Sequence, residues 1–340
     1  MTTISLPTYF DRDTLSGFFN ELEKHIDTDD VCLDCSTIRF SKPTAMLVAG
    51  SKIRSWVRSR HRRGLKTRKK GVDTYSSAHS YLKHIGFFDF VLMGAGNCVG
   101  EARGSSTYIP ITRITKPELG EGENALEQWY EDIQSKVRGL ARVISGKPET
   151  HQDNRMYNYA LREIIRNVFE HSGCEECYVF GQRWFDGAVE IVVVDEGVGI
   201  GCTLRETLGD ITDQEALKQA IKPGVSRTSQ LSDAENTFDN SGFGLYVLTE
   251  VARSFGLYVL TEVARSFGWY ALGSNSAKLI GYESNLEEST LNFNGTYFGF
   301  RLTRSPSDFS SLAKDIIKAG EQEANVDGIE RKASAMSKLF

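Results

Sequence analysis

Glu163, Asn167 and His171 stand four residues apart, so on a helix a carboxylate, an amide and an imidazole project from one face, each about a turn above the last. Such a row can polarise a water, hold a divalent cation through oxygen and touch a phosphate. Polar stripes on helices ordinarily face solvent. Here Leu161, Ile164, Ile165 and Val168 fill the neighbouring positions, which puts the row at the edge of a core, where a site can form. Two further stretches carry chemistry. The run Val189 to Val194, apolar except for Glu190, leads into Asp195-Glu196-Gly197-Val198-Gly199, a carboxylate at the end of a strand central to a sheet. That carboxylate can accept an exocyclic amino hydrogen of adenine while the glycines turn the backbone close beneath the base; the plainer reading is simple chain reversal. Ser241-Gly242-Phe243-Gly244 runs into a helix-patterned segment, and the free N–H groups of a first helical turn bind anions.

Taken together, these residues resemble the Bergerat-fold (GHKL) ATPases, which include gyrase B subunits, mismatch-repair ATPases, histidine kinases and anti-sigma-factor serine kinases. The Glu-x-x-x-Asn-x-x-x-His motif matches at Glu163, Asn167 and His171, the Asp-x-Gly-x-Gly motif at Asp195, Gly197 and Gly199, and the glycine-rich motif at Gly242 and Gly244. Pro223 to Thr228 resembles a tract of the ATP lid, and Gly295-Thr296 resembles the Gly-Thr strand near adenine. The resemblance covers about residues 125–304 and implies ATP and Mg²⁺ as cofactors. It implies Glu163 as general base, Asn167 as Mg²⁺ ligand, Asp195 as adenine reader, Gly242 and Gly244 as phosphate neighbours, and a lid from about Gly201 to Ser241. His171 and Thr296 complete the expected binding set.

Phe243 to Ser254 is repeated without a change as Phe255 to Ser266. Twelve residues is far below the roughly 20 to 50 of solenoid units, so this is a duplicated part rather than an architecture. One copy is self-consistent, because Ser254 would run straight into Phe267-Gly268, a helix with a glycine stop. Kept as one helix, the second copy adds about 18 Å, turns the later apolar stripe by about 120° and carries Gly256 mid-helix at about 1 kcal/mol. Either copy one keeps the phosphate site and copy two protrudes or seeks a partner, or copy two packs on the sheet and copy one joins the lid. The first arrangement keeps the glycine loop whole and is the expectation, with ATP turnover or assembly state perturbed relative to a one-copy chain.

The elements that must position these residues are legible in outline. Helical spacing marks residues 14–26, a helix opened by Pro43, Tyr75 to Ile85, Leu126 to Ile144 and Phe309 to Ile317; strand-like text marks Val31 to Ser36, Tyr108 to Ile111 and Cys174 to Phe180. The first 95 residues resemble the STAS domains of anti-sigma-factor antagonists, through Leu33-Asp34, Lys42-Pro43-Thr44-Ala45 and Leu82-Lys83-His84-Ile85-Gly86-Phe87. Thr44 falls at that family's phosphoacceptor serine, while Lys42, Pro43 and Ala45 depart from its acid, serine and glycine. The expected fold is therefore α/β in two domains, a small STAS-like α/β domain followed by a GHKL α/β sandwich, a mixed sheet covered by helices, with an ATP lid. The expected boundaries are 1–95, a crossing segment 96–124, the ATP-binding domain 125–304 and a frayed tail 305–340.

A net charge of −5 argues against a chain that coats nucleic acid over its whole surface. Lys52 to Lys70 nevertheless holds ten basic residues and no acid, either a patch for nucleic acid or another anionic surface, or a solvated helix face and loop. The Cys32/Cys35 and Cys174/Cys177 pairs are C-x-x-C spacings that can bind zinc but read more simply as buried thiols. The N-terminus has no signal pattern and no apolar run approaches the roughly 18 residues of a membrane span, so the expectation is a soluble, cytoplasmic protein. Three functions follow: a Mg²⁺-dependent ATPase whose lid switches contacts with a protein partner or a second subunit, an anti-sigma-like serine/threonine kinase, or an ATP-sensing interaction module without catalysis.

Overall fold

Alternation of apolar residues makes the short strands at the start of the chain, and helical spacing makes what lies between them. The structure, a computed structural model, describes residues 1–73, 75–122, 124–226, 241–254, 268–303, 307–325 and 331–340. Its first part runs β1 (Thr2–Ser5), β2 (Tyr9–Phe10), α1 (Leu15–Lys24), β3 (Asp30–Asp34), β4 (Phe40–Ser41), α2 (Pro43–Arg62), β5 (Lys66–Lys70), α3 (Ser77–His84) and α4 (Phe87–Phe90). β1, β3 and β5 form a parallel sheet with β3 in the middle. α1 buries Leu15, Phe18, Phe19 and Leu22, as its spacing requires.

The second part runs β6 (Tyr108–Thr115), α5 (Ala125–Ser145), α6 (Gln152–His171), β7 (Glu176–Arg183), β8 (Val189–Asp195), α7 (Ile200–Leu208), α8 (Asp213–Ala220), α9 (Gly244–Ser254), β9 (Gly268–Tyr282), β10 (Asn285–Leu302) and α10 (Phe309–Ala324). Its sheet has the order β6-β7-β8-β10-β9. Every neighbouring pair is antiparallel, so the sheet is not mixed as expected. The expected crossing segment 96–124 contributes β6, which pairs with β7.

Antiparallel sheets often leave one face in water. This one is covered on both, which explains why β8 reads as a nearly continuous apolar run. Val189, Ile191 and Val193 pack among the side chains of α5, α6, α9 and α10. Val192 and Val194 pack on the opposite face with α1, α2 and α4, in one apolar cluster that also takes in Tyr178, Phe180, Trp269 and Tyr297. The boundary expected at residue 95 therefore runs through a shared core. α2 comes closest at Gly299, where any side chain would meet Thr44. Thr44 is fully buried there, and its backbone N–H donates to Glu190 Oε1 at 3.0 Å. The hydroxyl expected at a phosphoacceptor position faces the sheet instead of solvent.

Part of the basic tract is likewise spent inside the molecule. Arg60 is fully buried and donates to the carbonyls of His25, Ile26, Thr28 and Lys66. Lys52 pairs with Glu23, Arg54 and Arg58 with Glu196, Arg63 with Asp27, Arg68 with Asp30 and Lys70 with Asp34. Residues 66–70 are an edge strand, whose lysines and arginine discourage pairing with another chain. Lys52, Arg54 and Arg60 are thus turned inward, whereas Arg58, Arg62, Arg63, Lys66, Arg68 and Lys70 stay exposed, which fits a solvated helix face and loop.

Cys32 lies in β3 and Cys177 in β7, in two different sheets, and Cys32, Cys35 and Cys177 are buried. Burial pushes the Cys35 thiol up to about 12. Among the described residues, no three His, Cys, Asp or Glu side chains are grouped to hold a metal ion, and no helix is long and apolar enough to cross a membrane. The tail is not frayed where it is described: Ala333, Ser334 and Ser337 are buried, and Phe340 packs against Tyr159 and Phe309.

Candidate functional site

The Glu-Asn-His row lies on α6, which crosses the sheet beside the carboxyl end of β8. His151 caps its start and Ser172 follows its end. Ser172 then locks α6 to the Asp-x-Gly-x-Gly turn: its carbonyl accepts the Val198 N–H at 3.0 Å and leaves no room for a side chain at Gly197. Gly199, with φ of +83°, starts α7 tight against Ser274 and Asn275. Gly242, with φ of +72°, turns against the Val225 backbone just before α9 begins.

These elements border an open cleft lined by Asn167, His171, Asp195, Gly199, Gly242, Gly244 and Thr296. Most of the remaining wall is apolar and includes Ile164, Val193, Ile200, Leu204, Leu272 and Phe298. Residues of three motifs, spread along the chain from Asn167 to Gly244, thus meet in one slot with Thr296. Gly197 supports the turn from behind, without lining the cleft.

Asp195 is the buried charge of the floor, 2% exposed. Its Oδ1 accepts the backbone N–H of Gly197 at 2.9 Å and that of Thr296 at 3.3 Å. Burial pushes this carboxyl up to about 7, against the pull of those two N–H donors. A carboxylate held this way in an apolar slot suits a ligand that brings its own hydrogen-bond donor. No protein family, curated protein or solved structure matches this chain.

Glu163, like Gly197, is an expected site residue that the cleft leaves out. It is 4% exposed, and its Oε1 accepts from Arg162 Nε at 3.1 Å and Nη2 at 3.0 Å, with Arg166 Nη1 at 3.6 Å. Its Oε2 lies against Gly244, where a side chain would have to begin. The carboxylate is therefore committed to two guanidinium groups behind the glycine loop.

Copy one of the repeat forms α9. Tyr246, Val247, Leu248, Val251 and Ala252 are buried against the sheet and the neighbouring helices, as the first arrangement expects. Copy two, Phe255 to Ser266, lies outside the described residues. Gly268, expected as a helix stop, opens β9 and pairs with Leu302.

Much of the expected lid is helix: α7 and α8, the latter begun by a capping box between Thr212 and Glu215. Val225 and Ser226 line the cleft, whereas Arg227, Thr228 and the rest of residues 227–240 lie outside the described residues. Ser274 joins the site without belonging to any of the motifs. Its hydroxyl accepts the Ile200 N–H at 2.9 Å and donates to the Gly295 carbonyl at 3.0 Å, tying α7 to the strand that carries Thr296. The polar run Ser274-Asn275-Ser276 inside an otherwise apolar strand was its signal, and Asn275 takes a φ of +53° there.

Proposed function

We propose that this protein binds MgATP in the cleft and acts as a nucleotide-gated switch. The observation that carries the reading is the placement of Asp195, a buried carboxylate with two backbone N–H donors on one oxygen, at the floor of an apolar slot. An adenine would lie between Ile164, Val193, Leu272 and Phe298, with its exocyclic amine donating to Asp195. Thr296 and Ser274 hold the strand beside it. The glycine loop and the first N–H groups of α9 would take the phosphates. Mg²⁺ would neutralise phosphate charge, with Asn167 offering an amide oxygen and His171 standing at the same wall. The cleft fits this group on its own terms: it is apolar where the base lies and, among the described residues, carries no anionic side chain but Asp195.

The pairing of Glu163 with Arg162 and Arg166 favours a second reading, in which ATP is sensed and hydrolysed slowly or not at all. A general base needs an unshared lone pair within reach of its water, and Glu163 holds Oε1 in two ion pairs while its other oxygen faces Gly244. Conversion to an ATPase would then require a movement of α9 or of the arginines, supplied by a protein partner or a second copy. The serine/threonine kinase reading gains nothing from Thr44, which is buried.

The test is calorimetric titration of the full chain with ATP in Mg²⁺, beside a phosphate-release assay. Micromolar binding that is lost in Asp195→Ala supports the cleft as the site. Absence of binding at millimolar ATP would end the reading. Phosphate release that persists in Glu163→Ala would remove Glu163 from any role in turnover.

A further inference from the structure

Side chains along β8 alternate between the two covered faces, and the alternation continues past the end of the strand. Glu190, Val192 and Val194 face the first part of the chain, whereas Ile191, Val193 and Asp195 face the cleft helices. Glu196 follows on the side of α2. It is met there by a stripe of three residues on one face of that helix, Ser51, Arg54 and Arg58.

The contacts form a clamp. Glu196 Oε1 accepts from Ser51 Oγ at 3.0 Å and from Arg54 Nε at 3.1 Å, and its Oε2 accepts from Arg54 Nη2 at 3.0 Å. Arg58 Nη1 adds an ion pair at 3.5 Å. Arg54 is itself fixed: it is 7% exposed, donates to the Tyr178 hydroxyl at 2.7 Å, and lies over the rings of Tyr178 and Phe90 at 4.5 and 4.8 Å. A two-pronged guanidinium–carboxylate pair constrains direction as well as distance. One residue earlier, Asp195 is tied to Gly197 and Thr296. The peptide joining Asp195 to Glu196 is thus gripped from both faces of the sheet, and the Glu196 side chain is held by α2.

We propose that Arg54 is a positioning residue for base recognition, which through Glu196 fixes the Asp195 turn and so sets how well the cleft tells adenine from a base lacking the exocyclic amine. The inference rests on the reading of the cleft as an adenine-nucleotide site and deepens it: the first part of the chain becomes a component of specificity, and anything that lifts α2 from the sheet loosens discrimination before it loosens phosphate binding.

The experiment measures binding of MgATP and of magnesium inosine triphosphate, which has a carbonyl in place of the amine, to the full chain and to Arg54→Gln and Glu196→Gln. The wild type should prefer ATP by about tenfold or more, the worth of one good hydrogen bond to a charged acceptor. In both variants that ratio should fall towards one while inosine triphosphate binding changes by less than about threefold, a factor below the value of one hydrogen bond. Arg54→Lys, which keeps charge without the fork, should restore part of the ratio. Glu196→Gln keeps the shape of the contact and decides the matter if Arg54→Gln does not fold. A wild-type ratio in the folded variants, or a parallel loss of both nucleotides, would overturn the positioning role and leave the ATP site standing. A wild type that binds neither nucleotide would overturn the cleft reading, and the positioning role with it.

Discussion

Glu163 and Gly244 fit each other sterically: the carboxylate Oε2 of one occupies the space in which a side chain of the other would begin. The third motif therefore needs its second glycine for a reason beyond phosphate approach. Gly244→Ala is expected to cost about 1–3 kcal/mol, as an overpacked core position does, and to weaken ATP binding by shifting the start of α9. Combining it with Glu163→Ala should give a coupling energy of at least about 0.5 kcal/mol in denaturant unfolding, because the clash has lost its partner. Strict additivity would mean that the two residues do not touch.

Glu163→Ala alone should be costly in another currency. It leaves Arg162 and Arg166 beside an empty site, with Arg166 still held by Glu170 at 3.0 Å. Removing one member of a buried ion-paired group costs about 3–5 kcal/mol. Glu163→Gln, which keeps the volume and one oxygen, should retain more of that stability, and unfolding midpoints compare the two directly.

Asp195 links stability to pH with a definite sign. Its folded-state carboxyl lies near 7, above the ordinary value of 3.8. Between those values the folded protein holds a proton that the unfolded chain has released, so this group's contribution falls as pH rises from about 4 to about 7 and then levels off. Asp195→Asn should remove that slope, and the difference between the two stability–pH curves isolates it from the opposite slopes of paired carboxylates. ATP binding should show the mirror image, strengthening as pH rises through about 7, because only the ionised carboxyl accepts on both oxygens. A flat binding profile from pH 6 to 8, at about equal ionic strength, would exclude Asp195 as the base reader.

The repeat can be assigned by a matched pair of substitutions. Val247 is fully buried in α9, so Val247→Asp should destabilise by about 3 kcal/mol or more, the result of burying an unpaired charge. Val259→Asp, at the matching position of copy two, is the control and should cost much less. Comparable losses in thermal unfolding would mean that the two copies share the place of one helix.

Residues 1–95 should prove inseparable from the sheet. A chain beginning after residue 104 would expose Tyr178, Val192, Val194, Trp269 and Tyr297, which now share one cluster with α1 and α2, and contiguous apolar faces of that kind aggregate. Size-exclusion chromatography of the truncated and full chains checks this. A monodisperse, folded truncation would restore the boundary that composition suggested.

What could be read in advance follows the physics of each signal. Helical spacing and turn glycines are local, so α1, α2, α5 and β8 were legible, as was the convergence of Asn167, His171, Asp195, Gly242, Gly244 and Thr296. The partner of a charge is not local. Nothing in Arg54, Lys52 or Arg60 announces that Glu196, Glu23 and a ring of carbonyls wait in the fold, so a run of cations reads as a surface. The continuous apolar run of β8 announces burial on both faces, but which layer Val192 and Val193 each meet is known only from the fold. Glu163 matches its motif, but its pairing with the arginines at its own flanks is set by the fold.

The sheet buried on both sides divides the cleft into unequal halves. Asp195 closes a strand with a neighbour on each side and a packed layer above and below, the part of such a molecule that exchanges its amide hydrogens last. The opposite wall, Gly242 and the first turn of α9, joins the sheet through side-chain packing and one helical edge. The floor proposed to read a base is thus held by strand pairing on both sides and packing above and below, while the wall proposed to meet phosphate is held by side-chain packing, so an arriving nucleotide would be recognised by the more firmly held half and announced by the other.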